Sequence, residues 1–434
     1  MSKQDLKIDI HHVTRVEGHG NIVVNSRNGT VNEIRWEIPE SPRFFEAMLK
    51  GRNYNEVAHI TSRICAICST GHTLASLKAT EDAFKITPTQ QTWLLRKLLS
   101  HGQCIQSHIL HVCFLVLPDL LDADSVIPLA ETHPDAVKLA LKMKKLGNDI
   151  ADIVGGRAVH PITACVGGFT KMPNEKELIN LREKLTSSIS DLKTLVTLVK
   201  SLAGKIPNFS RKTEFISLKW DKQYSWIDGD IYSSETGKIS HKEYLKITNE
   251  FIIPYSTAKR SKNKLSSYMV GALARVNNNF NQLTSFSKEA AETLGFKPIC
   301  CNPFMNNIAQ VVETVHCVED SIAVINELLK VKIKEEPIKV SPKAGRGIGA
   351  IEVPRGILFH DYTYDENGNV LNANLVIPTN QNHANIEDDM KAWVPTMLKD
   401  EIKEENIAHN LEMLVRAYDP CISCSTHMLN VKFK

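Results

Sequence analysis

Arg63-Ile64-Cys65-Ala66-Ile67-Cys68-Ser69-Thr70-Gly71-His72 and, near the other end of the chain, Asp419-Pro420-Cys421-Ile422-Ser423-Cys424-Ser425-Thr426-His427 are the stretches that decide how this sequence is read. Each carries two cysteines separated by two residues. That spacing lets both sulfurs reach one metal, or one metal and its neighbour, and thiolates are soft ligands suited to nickel, zinc and iron. Spacing alone leaves alternatives open. The four cysteines could make a structural zinc site, although zinc ribbons close small loops and most of this chain lies between Cys68 and Cys421. A thioredoxin-like redox pair fits poorly, because neither motif sits in a βαβ pattern.

Outward from these motifs, the 434 residues exceed the usual single-domain size, and 42% hydrophobic with 23% charged residues is ordinary globular composition. A net charge of +3 argues against an electrostatic nucleic-acid footprint. The first dozen residues lack the apolar core of a secretory signal. The best apolar run, Cys113 to Leu117, is cut short by Pro118 and Asp119, so direct membrane insertion is not expected. The reading is of a cytoplasmic protein, in which cysteines stay reduced. The six cysteines outside the two pairs (104, 113, 165, 300, 301 and 317) are expected to be small buried hydrophobes.

Between the two ends the pattern is mainly helical. A long helix is expected from Thr87-Pro88-Thr89-Gln90, with Thr87 as cap and Pro118 as its end; roughly thirty residues at about 1.5 Å each would span about 45 Å. A second runs from about Glu175 to Ala203, with Leu178, Leu181, Leu185, Ile189, Leu192 and Val199 on one face and charge on the other. A third covers about Glu313 to Lys330, and a fourth carries Leu411, Leu414 and Val415 toward Arg416. Asn28-Gly29 and Asn367-Gly368 each mark a β-hairpin turn between β-prone runs. The fold class is therefore mainly α with small β elements, a bundle of long helices. Residues 1–427 read as one domain, with 211–263 a peripheral insertion and 428–434 a short tail. Gly345-Arg346-Gly347-Ile348-Gly349 lacks the spacing of a dinucleotide loop and reads as close backbone packing near Arg355.

The neighbours of the cysteines carry a resemblance. Both cysteine stretches resemble the metal-binding motifs of nickel–iron hydrogenase large subunits. Arg15-Val16-Glu17-Gly18-His19, Gly156-Arg157-Ala158-Val159-His160-Pro161 and Val353-Pro354-Arg355-Gly356 resemble further signatures of the same family, in the same order. The soluble form is similar to hydrogenases coupled to heterodisulfide reductase, ferredoxin, a deazaflavin or a nicotinamide.

The resemblance implies reversible oxidation of dihydrogen to protons and electrons, and it implies roles residue by residue. Cys65 and Cys421 would be terminal nickel thiolates, and Cys68 and Cys424 would bridge nickel to an iron carrying one carbon monoxide and two cyanides. Arg355, Pro378 and Thr379 match positions around those diatomic ligands. Glu17 matches the glutamate that passes protons from a terminal sulfur, a job that needs a base within hydrogen-bond reach. Glu46, nineteen residues before Cys65, with His427 and the backbone carbonyl of Leu375, would hold a separate magnesium ion. His72 and His108 are read as helix-face histidines, either ordering hydrogen bonds near the metals or simply satisfied in the core.

No iron–sulfur cysteine pattern remains, so the implied partners are an iron–sulfur small subunit, plus a downstream electron acceptor. Family precursors carry a C-terminal extension that a maturation endopeptidase removes; only Met428 to Lys434 follow here, and their removal is expected. Ala66 replaces a common glycine, tolerable where the backbone φ is negative. The alternatives are a non-catalytic scaffold of the complex I type, and the structural zinc protein.

Overall fold

The computed structural model describes residues 5–426. His427 and the tail that follows it lie outside the described residues. Helices dominate, and three of them make the frame: Gln90–Ile109, Pro134–Gly155 and Asn306–Val331 pack side by side. The first two approach closely because glycines face each other. A Cβ on Gly147 would lie 2.6 Å from Gln106 N and 2.7 Å from the carbonyl of Gly102. Such contact lets two backbones pack with no side chain between them.

The long helix expected from Thr87 begins two residues later. Thr89 is its cap, with the hydroxyl oxygen accepting from Thr92 N at 3.1 Å. Thr87 and Pro88 stay outside the helix, and capping falls to Thr89, which is extended (φ −69°, ψ 164°) as a cap residue should be. The helix also does not run uniformly to Pro118. Residues Leu110–Val116 widen into a π-helical turn, and Leu117–Leu120 resumes α geometry with Pro118 in its first turn, where a missing N–H costs nothing. The second expected helix is divided at Ser188 into Glu175–Ser187 and Ile189–Leu202. Asn174 and Glu177 form a capping box at its start, and the leucine face is buried as expected. The third begins earlier, at Asn306, and the fourth is Glu404–Ala417.

Both hairpins form. Asn21–Arg27 pairs with Thr30–Glu37 across Asn28 and Gly29, both at positive φ (53° and 71°), and Leu6–Ile10 adds a third antiparallel strand. Gly345–Val353, Gly356–Tyr364 and Val370–Val376 make a second three-stranded antiparallel sheet. Helix Ser69–Phe84 lies on the first of these strands. There Gly347 and Gly349 are obligatory: a Cβ on either would come within 2.1 Å of a helix carbonyl, that of Ala79 or Ala75. The glycine run is close packing, not a nucleotide loop. Strands Glu214–Lys219, Asp230–Ser233, Gly237–Ile239 and Tyr268–Met269 form a four-stranded sheet. Its Ile216, Leu218 and Ile231 share an apolar cluster with Ile348, Ile357 and Phe359 of the neighbouring sheet. No helix among the described residues is long and apolar enough to cross a membrane.

Candidate metal centre

Cys65 follows a single 3-10 turn, Ser62–Ile64, and is extended (φ −148°, ψ 137°); Cys68 caps the helix Ser69–Phe84. The N–H of Cys68 points back at the Cys65 sulfur, 3.2 Å away. A helix N-terminus favours thiolate over thiol. Ala66 is absent from the positive-φ residues, which removes the objection to its replacing glycine. Gly71 is required for a different reason. A Cβ there would sit 2.1 Å from Val353 Cγ1, and its N–H donates to Gln103 Oε1 at 2.8 Å.

The C-terminal motif has little regular structure of its own beyond the four-residue helix Ile422–Ser425, and remote residues hold it. Ile422 N donates to the carbonyl of Glu17 at 2.9 Å, and Cys421 bridges Glu17 in strand-like fashion. The Glu17 carboxylate accepts from Ser423 twice, from its N–H at 3.1 Å and its hydroxyl at 2.5 Å. Gly18, at φ +84°, brings the N-terminal loop against this segment; a Cβ would lie 2.8 Å from that of Ile422. Cys421 N donates to Thr379 Oγ1 at 3.1 Å. Pro378 occupies the first turn of the helix that Thr379 continues.

These constraints bring sulfurs from the two chain ends together. Cys65 Sγ is 3.5 Å from Cys421 Sγ and Cys68 Sγ is 4.0 Å from Cys424 Sγ. All four lie within 4.8 Å of one another, buried, and those of Cys421 and Cys424 are in contact. The Cys65 thiol is held below its ordinary range by its hydrogen bond with Cys68, against burial and with help from Arg355.

Arg355 stands at the tip of the Gly345–Tyr364 hairpin, 4% exposed. Its Nε donates to the Asp419 carbonyl at 2.6 Å and Nη2 to Asp419 Oδ1 at 2.8 Å. Burial works against its charge, but Asp419 and the thiols of Cys65 and Cys68 keep the guanidinium protonated. Its third nitrogen, Nη1, is buried with no hydrogen-bond partner among the described residues. Such a donor calls for an acceptor. Four converging soft ligands beside an unsatisfied cationic donor fit a thiolate-held metal site.

Glu46 lies apart from the sulfurs. Its carboxylate accepts from Leu375 N at 2.8 Å, and burial pushes its pKa up, partly offset by Lys259. The structure thus places Glu46 beside Leu375, while His427 is outside the described residues. His72 lies against His360, Nδ1 to Nε2 at 3.1 Å, and His108 pairs with Glu313 at 2.7 Å. Sequence reasoning missed Asp419 and Asp119. Asp419 stood inside the quoted motif, adopts φ 50°, and is the residue Arg355 grips. Asp119 receives both Arg15, of the first motif, and Arg416, which donates at 2.8 and 3.0 Å.

A helical body that brings four cysteine sulfurs from opposite chain ends around one point defines a cysteine-ligated metalloprotein. The profile of the nickel-dependent hydrogenase family matches residues 43–140 and 208–427. The alpha subunit of sulfhydrogenase 1 from Pyrococcus furiosus is 35% identical, the match covering 98% of this chain and 99% of that one. The corresponding chain of the vhu F420-non-reducing hydrogenase from Methanocaldococcus jannaschii is 32% identical, covering 91% and 100%. A solved NAD+-reducing NiFe-hydrogenase in its H2-reduced state superposes with a TM-score of 0.88 at 26% identity, covering 97% and 99%. The chain belongs to the nickel-dependent hydrogenase family, as a large subunit. It is the catalytic component of a hydrogenase, an oxidoreductase acting on dihydrogen, and the scaffold and zinc alternatives give way.

Proposed function

We propose that Cys65 and Cys421 are terminal ligands of nickel, that Cys68 and Cys424 bridge nickel to iron, and that the iron carries one carbon monoxide and two cyanides. The observation that carries this reading is the convergence of four buried sulfurs beneath the unsatisfied Nη1 of Arg355. When bound, such a metal pair would supply the polarisation of dihydrogen and the acceptor for its two electrons. The chain's own residues do the rest. Arg355 and Thr379 present donors to the diatomic ligands, Thr379 keeping its hydroxyl hydrogen free because its oxygen accepts from Cys421 N. A terminal thiolate sulfur receives the two protons one after the other, and Glu17 passes each outward. What supports this role is that Ser423 and the bridge to Cys421 tie Glu17 to the C-terminal motif and that its charge acts on the Cys65 thiol.

Further parts of the reading follow. Glu46, the carbonyl of Leu375 and His427 hold a magnesium ion that braces the C-terminus. Electrons leave through an iron–sulfur small subunit to a downstream acceptor, in the cytoplasm. An endopeptidase removes residues 428–434 in maturation. Residues 1–427 act as one domain, with 211–263 a peripheral insertion.

The test is metal content joined to infrared spectroscopy on the purified complex. One nickel and one iron per chain are expected, with bands of metal-bound carbon monoxide and cyanide, all lost in Cys421→Ser. Zinc in place of nickel, or absence of those bands, overturns the assignment.

A further inference from the structure

His111 stands in the π-helical turn Leu110–Val116, and Gln310 in the second turn of helix Asn306–Val331. Both are buried. Their hydrogen bonds run in an unbroken file to Arg355. His111 Nε2 lies 2.7 Å from the carbonyl oxygen of Arg416, and Nδ1 lies 2.5 Å from Gln310 Oε1. Gln310 Nε2 donates to Asp419 Oδ2 at 3.1 Å, and the other carboxylate oxygen, Oδ1, receives Arg355 Nη2 at 2.8 Å. Asn306, four residues before Gln310, donates to the Ala417 carbonyl at 2.8 Å. One helix face thus holds the turn that presents Asp419 at two points.

The chemistry of each partner fixes the next. Asp419 is ion-paired with Arg355, so both of its oxygens only accept. The amide of Gln310 therefore turns its nitrogen to Asp419 and its oxygen to His111; turned over, it would set oxygen against a charged carboxylate. On the far side of the ring the Arg416 carbonyl is again an acceptor. A neutral imidazole carries one N–H, and here it would press a nitrogen lone pair against an oxygen lone pair at hydrogen-bond distance. Only the doubly protonated ring satisfies both contacts. A buried charge needs an opposite one, and Asp419 Oδ1 is 4.0 Å from His111 Nε2. The Arg416 guanidinium is engaged by Asp119, from Nε at 2.8 Å and Nη2 at 3.0 Å. Two cations, His111 and Arg355, thus share the Asp419 carboxylate, close to sulfurs that become anionic when they bind metal.

We propose that His111 is a buried imidazolium which, through the Gln310 amide, positions Asp419 and with it Arg355 at the metal centre. The inference rests on the role proposed above for Arg355. His111 and Gln310 are positioning residues, acting through Asp419. Without the second ring proton the amide turns over, Asp419 loses one of its side-chain anchors, and the aim of the Arg355 guanidinium is no longer fixed.

Neutron diffraction from crystals of the native complex at neutral pH reads the protonation. Nuclear density for hydrogen or deuterium is expected on both ring nitrogens of His111; density on one alone overturns the proposal. Infrared spectra of the iron-bound cyanides read the positioning. Gln310→Met should shift the cyanide bands and lower turnover by up to about 10²-fold, with nickel and iron content unchanged. Arg355→Lys should shift the bands as well, and adding Gln310→Met to it should shift them no further, because the amide acts through the arginine. Unmoved bands in Gln310→Met, or shifts that add in the double variant, overturn the positioning role. Should Gln310→Met fail to assemble, Gln310→Glu takes its place with the same expected outcomes, since it keeps the bond to the imidazolium and withdraws only the donor to Asp419. Wild-type spectra without cyanide bands would refute the diatomic ligands and not the imidazolium, which the neutron density still decides.

Discussion

Glu17→Gln separates the proton role proposed for Glu17 from its structural one. The glutamate accepts two hydrogen bonds, from Ser423 N at 3.1 Å and the Ser423 hydroxyl at 2.5 Å. Glutamine keeps the shape, and its amide oxygen still takes the backbone N–H. The serine hydroxyl can turn and accept from the amide nitrogen, so both contacts survive. The lost increment is the difference between charged and neutral hydrogen bonds, about 1 kcal/mol or less at this half-buried position. The amide cannot take a proton from sulfur at neutral pH. Removing a positioned base of this kind costs about 10²–10⁴ in rate. The assay pairs dye-linked hydrogen oxidation with hydrogen–deuterium exchange against D2O, on protein whose nickel and iron have been measured. Turnover and solvent exchange should both fall by at least about a hundredfold, with metal content and melting temperature unchanged. Turnover within a few-fold of wild type would remove Glu17 from the proton route. Lost nickel would instead make it a brace for the C-terminal motif.

Other consequences concern the frame and the pH response. Gly349→Ala puts a methyl group 2.1 Å from the Ala75 carbonyl and 2.8 Å from Ala79 N, both backbone atoms that cannot turn away; overpacking of this kind should cost about 3 kcal/mol or more in urea unfolding, and an unchanged midpoint would refute the close packing. Arg275→Met strands the buried carboxylates of Glu313 and Glu352, a loss of about 3–5 kcal/mol that adding Glu313→Gln should partly recover; no recovery would contradict the charge argument. Burial pulls His101 and His383 down to about 3. Both stay neutral in the fold while the unfolded chain protonates below about 6.5, so their stabilisation is complete above that pH and is lost as pH falls toward 3. Each contributes a slope of about 1.4 kcal/mol per pH unit in that window. His108, shifted the other way, stabilises fully below its unfolded value and does not cancel the slope. Glu352, held up to about 7 by burial, has the opposite slope over much of this window, so the test compares variants: between pH 7 and 5 the urea midpoint of His383→Gln should fall less than that of the wild type, and an equal fall would reject the burial argument.

What the sequence made legible was local or motif-borne. Asn28-Gly29 forces positive φ at two successive positions, and the chain turns there whatever surrounds it. The leucines of Glu175–Ser187 and Ile189–Leu202 show their buried face by spacing alone. The four cysteines were legible because their neighbours matched a family, and spacing by itself left zinc open. Other features depend on partners far along the chain. Helix Pro378–Lys399 went unread because its first half, Asn380, Gln381, Asn382, His383 and Asn385, is mostly poor helix formers and the apolar stripe of Ile386, Met390, Val394 and Met397 begins only after it. The polar residues of that first half are buried all the same, since their amides serve remote groups: Asn380 donates to the carbonyls of Lys259 and Ser425, Gln381 to that of Ile357. The π-helical turn at Leu110–Val116 likewise carries no composition cue. His111 within it bridges Gln310 and the Arg416 carbonyl, both contacts across more than a hundred residues.

The placement of the C-terminal sulfurs follows the same logic, and it can be tested one hydrogen bond at a time. Cys421 and Cys424 belong to no long element; Arg355, Asn306, Thr379, Asn380 and Glu17 hold the segment from four separate parts of the chain. The metal ligands therefore reach position only after the hairpin, both long helices and the N-terminal loop are in place. Thr379→Val is nearly isosteric and removes one tether, leaving Cys421 N–H buried without an acceptor. An unsatisfied buried donor costs about 1–3 kcal/mol, which converts to roughly a five- to hundredfold rise in local opening. Amide exchange at Cys421 should accelerate by that factor in the metal-free protein, with exchange in helix Gln90–Ile109 unaffected. Exchange that accelerates equally in both places would mean that the segment opens only with the whole fold, and the picture of a separately tethered C-terminal motif would have to be abandoned.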